Sequence, residues 1–513
     1  MTTRPLRRPL SPAADEPGRT VQQSAPPPRT LPTRLLPAVP ALLALLMGLW
    51  HLTTPGMWRD EAASFSAAQR SLPDLWTLTA HVDAVHGLYY LLLHLEFAVT
   101  GPGVLALRLP SVLAGAATAA LLTAVAARVG NRRAALFAGL YWAVLPQVSR
   151  YLQEGRSYSM VSLGVTAAAW FLIRRQWVRY AVALALAVAL NLLAGLSLAA
   201  FAAALLLWRR QGAADGRALL RAAVASGAAL LVGAAPVLWR AHSESAVLYW
   251  IPRPDFPAVR QLAADMAGSG AMAIPVLLLL AYGAWSALRR RERELAALAL
   301  PLALLPPLLL LAVSWLDKPM YVERYILYCF VGVAWLVGLG LDAAVRRLPS
   351  PAALAVGLVF VVLTASLGLA EQRHIRGEDG HGDPLQRLAR VVRDHARPGD
   401  AVVFLPDDRR YAEEAYPGYF RDTADVLLAG DPARLGQLHG ANVPDSRIGA
   451  LLAHYDRVWV IWGRLNEATV APTKASLAAI RTEGFRLQDR WRITSRQDVI
   501  LYVRAHPSPE LRG

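Results

Sequence analysis

Apolar segments of about 17–25 residues recur between residues 35 and 370, separated by short polar stretches. This is the length at which an α-helix crosses the hydrocarbon core of a bilayer. Because lipid offers no hydrogen-bond partner to an unpaired backbone, such segments have to be helical. Hydrophobic residues make up 55% of the 513-residue chain, which is too high for an ordinary soluble protein. The sequence therefore predicts a multi-pass α-helical membrane domain over residues 36–370.

The formal net charge of +16 is carried by arginines that cluster in short loops between the apolar segments. Loops of this kind stay on the cytoplasmic side of a membrane, so the charge indicates topology and argues against a nucleic-acid partner. Placing every cluster inside gives about eleven spans, a cytoplasmic N-terminus and an exterior C-terminal part. It also requires the apolar run at 181–207 to form two short spans that turn near residues 191–195. The arginine clusters lie at residues 128–133, 174–179, 209–221, 289–293 and 346–347.

The two ends of the chain differ in composition from its middle. Residues 1–35 are rich in Pro, Arg, Ser and Thr and predict a disordered cytoplasmic tail. Residues 371–513 alternate helix-like segments (385–395, 447–455, 476–483) with strand-like ones (401–405, 426–428, 457–462, 499–503), which predicts an extracytoplasmic α/β domain. We expect this domain to bind or guide an acceptor. The scarcity of Lys beside abundant Ala, Leu and Arg favours a GC-rich bacterium, and thus a bacterial inner-membrane protein.

Carboxylates, a histidine and several cations are concentrated in loops that this topology places outside. The first outer loop, residues 55–105, carries Trp58-Arg59-Asp60-Glu61 directly after the first span and a second polar stretch at 83–90. Two later loops carry further ionisable residues at 153–158 and 317–325. Ionisable groups at the rim of a bilayer are costly to keep dry and are candidates for function. These separate stretches therefore predict one site at the outer surface.

Such a set of groups suits the transfer of a sugar from a lipid phosphate. Transfer needs a carboxylate that takes the proton from the acceptor hydroxyl, and cations that stabilise the departing phosphate. We expect Asp60 to be this base and Arg156, Arg324 and Lys318 to neutralise the phosphate, because arginine pairs two phosphate oxygens and keeps its charge. Glu154 would orient the acceptor or share a divalent metal with the first loop.

Each of these residues also has a simpler interpretation that the sequence leaves open. The alternatives are a solvated interface pair for Asp60 and Glu61, an ion pair between Glu154 and Arg156, a structural role for His86, a place for Tyr89 in the aromatic belt of the membrane interface, and a solvated turn at residues 317–324.

Taken in order, the polar motifs resemble the GT-C superfamily of polyprenyl-phosphate-sugar-dependent glycosyltransferases. The likeness is greatest to the branch of the protein O-mannosyltransferases and the lipid A aminoarabinose transferases, and it covers residues 50–345. It rests on Trp58-Arg59-Asp60-Glu61, His86-Gly87-Leu88-Tyr89-Tyr90, Leu107-Arg108-Leu109-Pro110-Ser111, Gln153-Glu154-Gly155-Arg156-Ser157-Tyr158 and Arg324-Tyr325.

The resemblance implies a catalytic base at Asp60, a second acidic residue at Glu154 and a lipid-phosphate contact at Arg324. With these we assign Glu61 to the catalytic set. The substrate-binding residues that we expect are Arg59, Asp83, His86, Tyr89, Arg156, Tyr158, Lys318 and Arg324.

The implied activity is transfer of a sugar, for which we expect mannose, from a polyprenyl-phosphate carrier to an envelope glycan, lipid or protein, with inversion. Metal dependence stays open, and we expect no other cofactor. A transporter or flippase of a lipid-linked glycan is the alternative, although the charges concentrate in outer loops and the chain shows no paired half-sequence symmetry of the kind many transporters have. A third interpretation is an inactive relative that serves as a binding scaffold, against which Asp60, Glu154 and Arg156 argue.

Overall fold

A computed structural model describes residues 35–241, 251–290, 292–463 and 467–505. The tail predicted for residues 1–35 lies outside these ranges, apart from Leu35. Seventeen helices of the described residues form the membrane domain and its loops. They are α1 (Ala38–Leu49), α2 (Arg59–Ala68), α3 (Leu72–His81), α4 (Gly87–Thr100), α5 (Val104–Val129), α6 (Arg132–Val144), α7 (Pro146–Leu152), α8 (Tyr158–Ile173), α9 (Trp177–Leu190), α10 (Ser197–Arg210), α11 (Gly216–Ala241), α12 (Phe256–Ala267), α13 (Ala273–Leu288), α14 (Arg293–Leu316), α15 (Cys329–Val345), α16 (Ser350–Leu367) and α17 (Leu369–His374).

A helix lies at the position of every predicted span. In the described part of the chain, six helices are long and apolar enough to cross a membrane by length and composition: α5, α10 with the turn before it, α11, α13 with the turn before it, α14 and α16. The shorter helices α1, α8, α9 and α15 are also apolar. The fold class is thus the expected one, whereas the total of eleven spans stays a prediction.

The apolar run at 181–207 is interrupted where the sequence predicts a turn. Asn191 is extended, and its side-chain oxygen accepts a hydrogen bond from the backbone N–H of Leu193 at 2.9 Å. This cap begins a 3₁₀ turn between α9 and α10. At about 1.5 Å per residue, each of these 14-residue helices extends about 21 Å. Each α-helix alone is therefore shorter than a bilayer core of about 30 Å, and α10 reaches the length of a candidate span only together with the 3₁₀ turn before it.

The segment at 55–105, which the sequence predicts to lie outside, is largely helical, because α2, α3 and α4 follow one another after α1. Ser71 caps α3 by accepting a hydrogen bond from the N–H of Asp74. α2 packs against α4 and, from the other end of the chain, against a short helix of the C-terminal domain. The loop is therefore held between the membrane helices and the C-terminal domain.

The C-terminal domain is built on a five-stranded mixed sheet. Its elements are α18 (Leu385–His395), β1 (Asp400–Leu405), α19 (Tyr411–Ala415), β2 (Thr423–Asp425), α20 (Ile448–Leu452), β3 (Arg457–Trp462), α21 (Glu467–Thr482), β4 (Phe485–Thr494) and β5 (Gln497–Arg504). The strand order is β2-β1-β3-β5-β4, in which β1 is parallel to β2 and β3, while β5 is antiparallel to β3 and β4.

Alternate residues of the central strands face two different cores, as the period of two in a strand requires. Val402 and Trp459 belong to the core that is continuous with the membrane domain. Val403 and Val460 belong to a separate core with α20 and α21. The sheet is therefore an integral layer of the molecule.

The strand predictions differ from the structure at two places. The strand expected at 426–428 lies three residues earlier, at β2, and the sequence does not predict β4. β4 is an edge strand whose residues are mostly exposed and include Arg486, Arg490 and Arg492. Charged edge strands lack the apolar alternation by which strands are recognised, because their exposed edge has to resist pairing with other chains.

Candidate active site

Asp60 lies in the first turn of α2, where two arginines from distant parts of the chain face its carboxylate. Nη2 of Arg324 lies 3.4 Å from Oδ2 of Asp60, and Nη2 of Arg156 lies 3.7 Å from the same oxygen. The side chain of Asp60 is 20% exposed, whereas those of Arg156 and Arg324 are 7% and 13% exposed. Solvent can thus reach the carboxylate of Asp60. The two guanidinium groups are largely excluded from water, and the lower local dielectric strengthens their attraction to the carboxylate.

The local sequence explains why Asp60 begins a helix. Trp58 is extended, and the helix starts at Arg59 with both carboxylates in its first turn. Negative side chains are favoured there because the exposed backbone N–H groups make the helix N-terminus positive. The hydroxyl of Ser64 donates to the backbone carbonyl of Asp60 at 3.0 Å.

Arg156 follows α7 and is oriented by several side chains. It donates to the hydroxyl of Ser64 at 3.1 Å, and its Nη2 lies 3.2 Å from Nε2 of His86. Burial and the charge of Arg156 lower the pKa of His86 well below its ordinary value, so the imidazole is neutral and accepts this hydrogen bond. Tyr90 accepts weakly from Arg156 at 3.4 Å and donates to Asp83 at 2.6 Å. His86 and Asp83 therefore act on the site through Arg156.

Arg324 lies between α14 and α15, in a 3₁₀ turn over Glu323–Ile326. Its Nε donates to the hydroxyl of Tyr158 at 3.0 Å, and its guanidinium lies 5.4 Å from the ring centroid of Trp58. A cation over an aromatic face gains about 0.5–2 kcal/mol. These contacts hold one edge of the guanidinium while another faces Asp60.

Glu61 points away from Asp60 and forms a buried ion pair with Arg108 of α5. Both side chains are 0% exposed, and Arg108 donates to the two Glu61 oxygens at 2.8 and 2.7 Å. Its other N–H groups donate to the carbonyls of Leu52, Pro55 and Gly56. Burial alone would raise the pKa of Glu61, but the charge and hydrogen bonds of Arg108 lower it below the usual range.

The same carboxylate, besides its ion pair with Arg108, contacts the turn after α7 and the C-terminal part of the chain. Oε1 of Glu61 accepts from the backbone N–H of Gly155 at 2.7 Å, and Oε2 lies 3.3 Å from Nδ1 of His381. A Cβ at Gly155 would come within 2.4 Å of the Leu107 side chain, so only glycine permits this approach. We therefore reassign Glu61 from a catalytic to a positioning role: it fixes the turn that carries Glu154 and Arg156.

Glu154 is 1% exposed, and its Oε1 has no hydrogen-bond partner among the described residues. Burial raises the pKa of Glu154 to about 8, although the nearby charges of Arg150 and Arg324 partly oppose the shift. It forms no ion pair with Arg156, which faces Asp60 instead. A protonated Glu154 can donate a hydrogen bond to an incoming oxygen. No group of three His, Cys, Asp or Glu side chains within the described residues is arranged to hold a metal ion.

Two predicted substrate-binding residues lie away from this cluster, and a third, Tyr89, is buried beside it. Arg59 is 57% exposed and faces Asp383 of the C-terminal part at 3.8 Å. Lys318 is exposed and forms no ion pair within the described ranges. Tyr89 is fully buried, and so is Tyr90. Their burial argues against a place in an interfacial aromatic belt, and the Tyr89 side chain lies near Arg156, Glu61 and Glu154.

The sequence also left important residues unassigned. The sequence assigns no role to Arg108, which belongs to the motif at residues 107–111. An arginine inside an apolar segment is nevertheless costly enough to imply a buried partner. His381 and Tyr416 lie more than 300 positions from the loop that they contact. No local pattern marks either of them.

Comparison with solved structures places this arrangement in a known fold. ArnT from Cupriavidus metallidurans in the apo state is similar with a TM-score of 0.57 and 14% identity over 90% of this chain and 97% of that one. ArnT bound to undecaprenyl phosphate gives a TM-score of 0.57 and 14% identity over 92% and 99%. The chain has the GT-C fold. AglB from Archaeoglobus fulgidus has a TM-score of 0.47 and 12% identity over 91% of this chain and 74% of that one. No protein-family model and no curated protein matches the sequence.

The GT-C fold confirms the fold class that the motifs predicted. At this level of identity the likeness concerns the fold, so the roles of individual residues rest on the geometry of this chain.

Proposed function

We propose that the protein is a membrane glycosyltransferase that takes a sugar from a polyprenyl-phosphate carrier and transfers it to a hydroxyl group of an envelope acceptor. The observation that supports this most directly is the carboxylate of Asp60 held between Arg156 and Arg324. One partly exposed base and two shielded cations at a single point are what this transfer requires. ArnT, which shares the fold, has been solved with undecaprenyl phosphate bound.

In this reaction Asp60 accepts the proton of the acceptor hydroxyl as its oxygen attacks the anomeric carbon. The bond between that carbon and the phosphate oxygen breaks, and polyprenyl phosphate leaves with one additional negative charge. Arg156 and Arg324 neutralise this charge, for which a planar guanidinium is suited. A single displacement inverts the anomeric centre. Glu154, protonated before substrate binds, donates a hydrogen bond that orients the acceptor.

Mannose is the sugar that we propose, on the resemblance to the mannosyltransferase branch. The acceptor class is an envelope glycan, lipid or protein on the outer side of a bacterial inner membrane. The arginine-rich loops support this orientation, because they keep the N-terminus and the basic loops inside. Exposed apolar residues on the outer faces of helices such as α11 and α16 support the embedding in lipid.

The test is transfer of label from polyprenyl-phosphate-mannose in membranes that contain equal amounts of wild type, Asp60→Asn or Asp317→Asn. Asp317 is an exposed carboxylate in the late outer loop and serves as a matched control. We expect Asp60→Asn to reduce transfer on the order of 100-fold or more, the range for loss of a general base. Retained transfer in Asp60→Asn would refute the base. If wild type transferred none of a panel of carrier-linked sugars, the enzyme proposal itself would fail.

A further inference from the structure

The loop that leads into Asp60 contacts the C-terminal part of the chain at four of its six positions. This loop, residues 56–61, includes the first residues of α2, and its partners lie within residues 378–416, which begin shortly after α17 and end directly after α19. The contacts are Gly56 N–H to the Glu378 carbonyl at 2.9 Å, Met57 N–H to the Tyr416 hydroxyl at 2.7 Å, Arg59 Nε to Asp383 at 3.8 Å, and Glu61 Oε2 to His381 Nδ1 at 3.3 Å.

Two of these contacts, Met57 with Tyr416 and Glu61 with His381, lie in the interior. Met57 is 2% exposed, His381 is 4% exposed and the Glu61 side chain is 0% exposed. A buried N–H that loses its acceptor is costly, so the Tyr416 hydroxyl constrains the backbone at Met57. The imidazole of His381 shares the carboxylate that also holds Arg108 and Gly155. The loop is therefore fixed from the membrane side and from the C-terminal side at once.

We propose that the C-terminal domain is part of the frame of the active site and that His381 and Tyr416 are positioning residues, which set the start of α2 so that Asp60 faces Arg156 and Arg324. This inference rests on the proposed function. Asp60 lies three residues after Met57 and directly before Glu61, so a shift at either contact moves its carboxylate. A displacement of about 1 Å can cost on the order of 100-fold in rate.

This role differs from acceptor binding, which was the sequence-based expectation for the domain. A positioning domain lowers kcat and leaves the KM of donor and acceptor unchanged, because substrate contacts are intact. An acceptor-binding domain raises the KM of the acceptor or changes acceptor choice. Steady-state kinetics on point variants of the contacting side chains therefore separates the two possibilities.

The experiment uses the full-length protein with Tyr416→Phe, which removes only the hydroxyl that Met57 contacts, and His381→Ala beside the conservative His381→Asn. Tyr419→Phe is the matched control, since Tyr419 stacks on Tyr416 with ring centroids 5.5 Å apart and forms no hydrogen bond to the loop within the described residues. Amide hydrogen exchange of the peptide around residues 56–64 is measured first, because it requires no activity.

We expect faster exchange of this peptide in Tyr416→Phe and His381→Ala than in Tyr419→Phe. We further expect a kcat lowered on the order of 10- to 100-fold with both KM values within about 2-fold of wild type, and partial recovery in His381→Asn. Unchanged exchange would overturn the proposal, as would a raised acceptor KM at unchanged kcat. If wild type transfers no sugar, the proposed function fails, whereas the exchange data still decide whether the C-terminal domain holds the loop.

Discussion

Glu61→Gln should destabilise the protein strongly, although the substitution retains the shape of the side chain. The ion pair with Arg108 is 2.7 Å long, and both side chains are 0% exposed. Removing one partner of a buried pair costs about 3–5 kcal/mol, because the other charge stays buried. Arg108 keeps its three backbone carbonyl acceptors, so we expect a loss of about 3 kcal/mol.

The size of this effect is measured by unfolding of the purified protein in detergent, with Arg108→Met and the double variant completing a cycle. Arg108→Met should cost more than Glu61→Gln, because three buried carbonyls also lose their donor at about 1–3 kcal/mol each. The double variant should be more stable than the sum of the single losses predicts, with a coupling energy of about 2 kcal/mol or more. Glu371→Gln, at an exposed carboxylate of α17, serves as the control and should change stability by less than about 0.5 kcal/mol.

Two results would refute this account of Glu61. The first is a Glu61→Gln variant within about 1 kcal/mol of wild type, which would mean that water reaches the pair. The second is additive losses in the cycle, which would mean that the two side chains stabilise the protein independently. The pH dependence gives a further check. The folded pKa of Glu61 lies below its ordinary value, so its contribution is present at neutral pH and is lost as the pH falls below about 4.5.

Three further predictions concern the candidate active site. Arg324→Lys keeps the charge but loses the planar fork that bonds Tyr158 while facing Asp60, so the KM for the lipid-linked donor should rise on the order of 10-fold in steady-state assays. Lys318→Ala should leave donor KM and kcat within about 2-fold of wild type, since Lys318 is exposed and forms no ion pair in the described ranges; a larger effect would place it in the site after all. Because burial raises the pKa of Glu154 to about 8, stability should fall by about 1.4 kcal/mol per pH unit as the pH rises from the unfolded value of about 4.5 towards 8. Glu154→Gln should remove this slope in unfolding measurements across pH 5–8.5, and an unchanged slope would show that Glu154 is not its source.

The sequence predicted the parts of this molecule that are governed by composition and local order. Helix positions follow from apolar length, the break at Asn191 follows from where arginines can lie, and β1, β3 and β5 follow from short apolar runs between polar segments. The sequence did not predict β4, because its residues are charged and exposed at the edge of the sheet. The motifs also identified Asp60, Arg156 and Arg324, which the structure brings together. Their roles as base and phosphate contacts stay predictions.

What could not be predicted was the division of labour between Asp60 and Glu61. Neighbouring residues of a helix point about 100° apart, so one carboxylate faces a partly open site and the other enters the interior. Which carboxylate turns inward depends on the position of a buried cation. That cation is Arg108, which lies 47 residues after Glu61 in the sequence. Adjacent acids at a membrane rim thus carry no fixed common role. The partly exposed one, Asp60, is the base that we propose, and the buried one is ion-paired and accepts a hydrogen bond from the backbone N–H of Gly155 in the neighbouring loop. Activity should therefore depend on both residues, but Asp60→Asn should reduce transfer on the order of 100-fold or more with a smaller loss of unfolding free energy than Glu61→Gln, because the ion pairs of Asp60 are longer, at 3.4 and 3.7 Å, and its side chain is 20% exposed.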